Sequence, residues 1–273
     1  MKEDIKETAK RRIAIQDELN EKVKEAYLRA FRMAATATYA SGLAPSYFEF
    51  KKSFLLDAEI NVILDSLIAD IYKLILQYSE RVDKLAKLKN EVDSAQDQAD
   101  YVPFVFRNIK GKNIEDRLQG YKEDSKYEFE AFLAASMLLK RPISFVIQDF
   151  SQYATTPYAS PTVKSVLSNK IPFLISAKML LQKGIVYGQS GKYNSALNSL
   201  TRLTEGSVAD AFGFGDLDYM KKNGAIGYIA RRGSSYPCQV CDDNTGFHPI
   251  TEMTLPVHPR CMCYAVPVFA GDI

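Results

Sequence analysis

The sequence predicts a mainly α-helical chain with long N-terminal helices and a small α+β module at the C-terminal end. Three observations carry this. Apolar residues recur every three or four positions through the first 200 residues. The composition, 47% hydrophobic and 25% charged over 273 residues, is that of an ordinary folded chain with ample core. Finally, all four cysteines and both histidines fall between Cys238 and Cys263, next to short extended segments.

From Ile5 to Phe31, the series Ile5, Ala9, Ile13, Leu19, Val23, Tyr27 and Phe31 marks one face of an amphipathic helix. Gly42 and Pro45 predict its end near Ser41. A second helix is predicted over Phe54 to Val92. Its seam runs through Ile60, Leu64, Leu67, Ile71, Leu74, Tyr78, Val82, Leu85, Leu88 and Val92. At about 38 residues it would span roughly 57 Å, which suits an extended arm or a helical hairpin. Polar Asp93–Asp100 reads as a linker, and Tyr101–Phe106 as a short strand that Pro103 confines to an edge.

Helix resumes near Ile114 and stops at Leu139 before Pro142. Within it, Glu128-Phe129-Glu130 has the E-x-E form used in transferase chemistry on nicotinamide dinucleotides, but in a helical repeat it reads as a solvated face. Ser160-Pro161 opens another helix. Phe173–Tyr187 and Lys192–Met220 give two more, parted by a turn at Gly188–Gly191. The resulting organisation is an N-terminal helical arm or hairpin (1–100), a helical core (101–222) and a C-terminal module (223–273).

A net charge of +2 excludes a histone-like positive carpet, and Gly 14 with Pro 11 excludes collagenous or low-complexity architecture. No stretch reaches the ~18 uncharged residues of a membrane span, and the start lacks the apolar core of a secretory signal. The sequence is therefore read as soluble, with its cysteines made in a reducing compartment that favours metal binding over disulfides.

Cys238-x2-Cys241 can place two thiolates on one ion, and His258-x2-Cys261 repeats that spacing. Cys263 follows on an extended tail, where side chains two apart share a face, so it competes for the last position. The first ligand set is Cys238, Cys241, His258 and Cys261; the second is all four cysteines; His248 is a weaker candidate. A redox-active C-x-x-C opens a helix in a βαβ setting, whereas Pro237–Asn244 reads as a turn. Donors exceed four and thiolates predominate, which points to a closed, structural zinc site rather than a catalytic one with a water position. No catalytic residue, enzymatic activity or small-molecule substrate is inferred. The alternative is a zinc-containing DNA-binding or DNA-processing (nuclease-like) protein, for which His248 is the spare base.

A C-terminal C-x-x-C, a short glycine turn and then H-P-x-C-x-C resembles the phage Mu F-like family of head morphogenesis (minor capsid) proteins. The match lies in Cys238-Gln-Val-Cys241, Asn244-Thr-Gly246 and His258-Pro-Arg-Cys261-Met-Cys263. Upstream, Thr201-Arg-Leu-Thr-Glu205 is similar to the family's Arg-Thr-Glu element. Lys221–Ile226 is similar to its turn, and Gly227–Arg232 to its strand; Gly184–Gly191 looks like the glycine-bearing turn that precedes that helix. Met262 stands where the family often has Arg, with Arg260 two positions earlier.

The resemblance spans roughly 179–269. It implies a virion protein of a tailed bacteriophage or prophage, assembled in the host cytoplasm and held inside the capsid near the portal. Its implied partners are portal and capsid proteins, with non-specific contact to phage DNA during packaging or ejection. Arg231, Arg232 and Arg260 are the candidates for phosphate contact.

Overall fold

A computed structural model describes residues 5–45, 48–90, 105, 111–156, 159–168, 195–258 and 260–272. It is mainly helical, with two long N-terminal helices and a small three-stranded sheet near the C-terminus. The helices are α1 (Ile5–Ala40), α2 (Phe54–Lys89), α3 (Ile114–Leu138), α4 (Ile143–Thr155), α5 (Pro161–Ser168), α6 (Ala196–Lys222) and α7 (Gln239–Asp243), with a 3-10 turn at Phe50–Lys52. The strands are β1 (Gly227–Arg231), β2 (Gly246–Pro249) and β3 (Tyr264–Val268). No described helix is long and apolar enough to cross a membrane. The expected linker at Asp93–Asp100, strand at Tyr101–Phe106, helix at Phe173–Tyr187 and turns at Gly184–Gly191 lie outside the described residues, apart from Val105.

The predicted ends of α1, α2 and α3 agree with the structure to within a few residues. The seams drift, however. In α2, Ile75 is fully buried where Leu74 was expected, and Leu88 is 58% exposed. In α1, Ile13 is only half-buried while Arg12 and Gln16 are buried. Helix α4 was not foreseen, although Val146, Phe150, Tyr153 and Ala154 give it a buried face directly after Pro142.

The chain divides into two compact units, neither one stretch of sequence. Residues 223–273 lie wholly in the first unit, whereas 1–100 and 101–222 contribute to both. The first unit takes residues 1–22, 73–114 and 202–273. In it Glu18 accepts a two-pronged bond from Arg81 (2.9 and 2.7 Å) and another from the Tyr78 hydroxyl (2.8 Å). Those donors hold the Glu18 carboxyl down at about 2. Helix α6 ends where Gly224, at φ +85°, takes the left-handed conformation open to glycine; the N–H of Ala225 then returns to the Met220 carbonyl at 3.1 Å. The chain is thereby turned into β1, the central strand of the order β2-β1-β3, antiparallel to both neighbours.

The second unit takes residues 23–72 and 115–201. Its core is aromatic: Phe31 stacks on Phe150 with centroids 3.5 Å apart, and Tyr27, Phe129, Phe132 and Tyr153 pack around them. Such pairs contribute about 0.5–1.5 kcal/mol each beyond the area they bury.

Here the reading of Glu128 and Glu130 as a solvated face is corrected. Glu128 is buried and accepts the N–H of Ala196 at 2.7 Å, while half-buried Glu130 accepts that of Phe50 at 2.7 Å. Asp149, also buried, takes the N–H of Thr162 at 2.8 Å. Each carboxylate meets a donor at the start of another helix or helical turn, a donor that no intrahelical carbonyl can satisfy.

Candidate metal centre

The sheet is a platform for the cysteines. Tyr228 of β1 points inward, fully buried; its hydroxyl donates to the Glu252 carbonyl (2.8 Å) and accepts from the Thr254 N–H (3.0 Å). These bonds fix the loop that leads through Leu255 and Val257 to His258. Around Tyr228 pack Met220, Ala225, Ala230, Leu255 and Ala265, together with Cys241, Cys261 and Cys263.

Cys238 precedes α7, and Cys241 lies within it. The expected turn after Pro237 is thus one helical turn, which brings the two sulfurs to the same side. On the opposite limb, the N–H of Cys261 returns to the His258 carbonyl at 3.1 Å. Arg260 lies in that turn at φ +63°, a left-handed conformation uncommon outside glycine. It is held there by Asp17 (2.6 Å) and by Glu205 (3.2 Å), whose carboxylate also accepts from Asn20 (2.6 Å).

The five donors gather in two overlapping groups, Cys238–Cys241–His258 and Cys241–Cys261–Cys263, each with its ligand atoms within 4.8 Å of one another. Cys241 belongs to both. Its sulfur lies 3.2 Å from His258 Nε2 and 3.8 Å from the Cys261 sulfur, and Cys238 Sγ lies 3.6 Å from the same nitrogen. All four cysteines are unpaired by disulfides. The backbone of Cys241 donates to the Cys238 sulfur and lowers its thiol, while burial raises the thiols of Cys241 and Cys263. At Cys261 burial acts against ionisation, but backbone bonds at Val257 and Cys263, with the Arg12 guanidinium, outweigh it. Clustered soft donors of this kind can hold a metal ion.

The remaining candidates are not among the clustered donors. His248 is in β2, outside both groups; its Nε2 is 3.0 Å from the Asn244 carbonyl and its ring stacks on Tyr228. Arg232 is engaged within the module by Asp242 and by the carbonyls of Ser234, Tyr236 and Cys238. Arg260 is ion-paired as above, and Arg231 is exposed at the end of β1.

Arg12 was missed. Fully buried on α1, it donates to the Cys261 carbonyl and lies over the Phe212 ring at 5.2 Å. The signal was a polar run, Thr8, Arg12, Gln16, at i+4 spacing in line with the buried stripe that continues through Leu19 and Val23.

Compared with models of known protein families, with curated proteins and with solved structures, the chain has no match.

Proposed function

We propose that this chain is a minor capsid (head morphogenesis) protein of the phage Mu F-like type. It acts inside the procapsid of a tailed bacteriophage or prophage, beside the portal, and its C-terminal module is closed by a structural zinc ion. The observation that carries the reading is the convergence of the Cys-x2-Cys and His-x2-Cys-x-Cys limbs. A tetrahedral ion with sulfur at about 2.3 Å and nitrogen at about 2.0–2.1 Å sets sulfur–sulfur edges near 3.8 Å and sulfur–nitrogen edges near 3.6 Å. The Cys241–Cys261 and Cys238–His258 separations, 3.8 and 3.6 Å, fit those edges, whereas Cys241–His258 at 3.2 Å is tighter and Cys261 lies outside the group formed by Cys238, Cys241 and His258. The donors Cys238, Cys241, His258 and Cys261 would hold the ion, with Cys263 as the competing thiolate. The ion would tie the limb of Cys238 and Cys241 to the limb of His258, Cys261 and Cys263 beside the sheet.

Two measurements test the two halves of this reading. Elemental analysis of reduced, full-length protein is expected to find one zinc per chain, lost in Cys261→Ala and kept in Cys263→Ala. Purified particles are expected to contain the protein with portal and capsid subunits. Zinc well below one per chain refutes the metal site, and absence from particles refutes the virion role.

Contact with DNA, as part of this reading, falls on Arg231, since Arg232 and Arg260 are engaged by carboxylates. It predicts weak, sequence-indifferent binding that disappears with salt and with Arg231→Ala in a gel shift.

A further inference from the structure

Beside the sulfurs, the first unit buries three ionic side chains that line one small cavity with Cys263: Arg12, Lys89 and Asp216. Asp216 is already held. Lys89 Nζ meets its two oxygens at 2.5 and 2.7 Å, and Asn90 adds a bond of 2.8 Å. Two cations therefore share one carboxylate. The hydrogen bond from Arg12 goes to a neutral acceptor, the Cys261 carbonyl, and its buried Nε has no partner. A buried guanidinium without a matching anion is strongly disfavoured. The groups of negative character facing it, besides Asp216, are Cys261 and Cys263.

Resting on the metal reading above, we propose that Arg12 is the buried counter-ion of the metal–thiolate centre, a positioning residue through which metal loading docks α1 onto the C-terminal module. A divalent ion held by three thiolates and one imidazole carries one net negative charge, and four thiolates carry two. Either set offers Arg12 at least the one negative charge it lacks; a set with only two thiolates and two neutral ligands offers none. Arg12 thus requires at least three of the four cysteines as ligands. Without the ion that charged centre is absent and the guanidinium loses its counter-charge, so residues 8–20 of α1 lose one of the interactions that pack them at that end. Neighbouring side chains reinforce the dock: Gln16 donates to the Glu205 carbonyl at 3.1 Å, and Asp17 and Asn20 join the Arg260–Glu205 pair.

The test uses full-length protein with zinc, cobalt(II) and a competing chelator. The expected result is that Arg12→Gln keeps the cobalt–thiolate absorption, because the ligands are intact, but binds zinc about 10–100-fold more weakly. Arg12→Lys, which keeps the charge, recovers most of that loss, which a purely packing role would not produce. In the wild type, chelation is expected to accelerate amide exchange across residues 8–20. Zinc affinity of Arg12→Gln within about twofold of wild type overturns the proposal while leaving the metal site standing. Should Arg12→Gln fail to fold, unchanged exchange at 8–20 on chelation overturns it equally. A wild-type protein that takes up no stoichiometric zinc refutes the metal reading itself, a separate result.

Discussion

Replacing Glu128 by Gln is expected to flatten the pH dependence of stability. The Glu128 carboxyl is buried among Tyr27, Tyr153 and the first turn of α6, and burial raises it from 4.5 to about 7, with Asp124 adding to the rise. The bond from the Ala196 N–H and the nearby hydroxyls of Tyr153 and Tyr27 oppose the shift without cancelling it. Because the folded value lies above the unfolded one, the native state binds a proton that the unfolded state releases. This stability is complete below pH 4.5 and is lost as pH rises through about 7. The difference of about 2.5 units corresponds to about 3 kcal/mol at 1.36 kcal/mol per unit. Gln keeps an oxygen for the Ala196 N–H but has no charge to bury. Urea titrations followed by circular dichroism at pH 5, 6, 7 and 8 measure the difference. Relative to wild type, Glu128→Gln is expected to gain about 2–3 kcal/mol between pH 5 and pH 8, the part of that difference which falls in this range. Glu130 is also raised by burial, and taking the variant-minus-wild-type difference removes its share. Parallel stability curves over that range would refute the reasoning.

Other perturbations are sharper in place. Gly213→Ala in α6 would put a methyl against the Leu255 carbonyl and 2.6 Å from Pro256 Cδ. Although alanine favours a helix by about 1 kcal/mol, overpacking of about 1–3 kcal/mol is expected to win, and thermal melting gives the sign. Tyr228→Phe strips two backbone partners of a buried hydroxyl and is expected to cost about 1–3 kcal/mol, with faster amide exchange at Thr254. Glu205→Ala removes a carboxylate shared by Asn20 and Arg260. It is expected to lower the melting temperature, whereas Glu252→Ala, an exposed carboxylate whose backbone alone meets Tyr228, leaves it within about 1 °C.

Periodicity made the long helices legible, because a buried stripe on a helix must recur at its own pitch, while Gly42 marked where one helix stops and Ser160-Pro161 where another starts. The cysteine cluster was legible for a different reason: chemistry places rare residues together. What the sequence hid was polar burial. Arg12, Gln16, Glu128 and Asp149 carry residue types usually assigned to solvent, and their partners lie 13 to 249 positions away on other elements, where no local pattern records them. Helix α4 was passed over between two prolines. Strand β2 is four residues long and edges the sheet, too brief for alternation to show.

The bond between Arg12 and Cys261 joins positions 249 apart in the chain. On a ribosome adding about 5–20 residues per second, the guanidinium waits roughly 10–50 s for its acceptor to be made. Over that interval the first turns of α1 emerge carrying a charge that belongs in the interior. The nascent chain therefore has a natural timetable: the aromatic unit, complete in sequence by Thr201, can consolidate early. Its companion closes only once the last sulfurs have been translated.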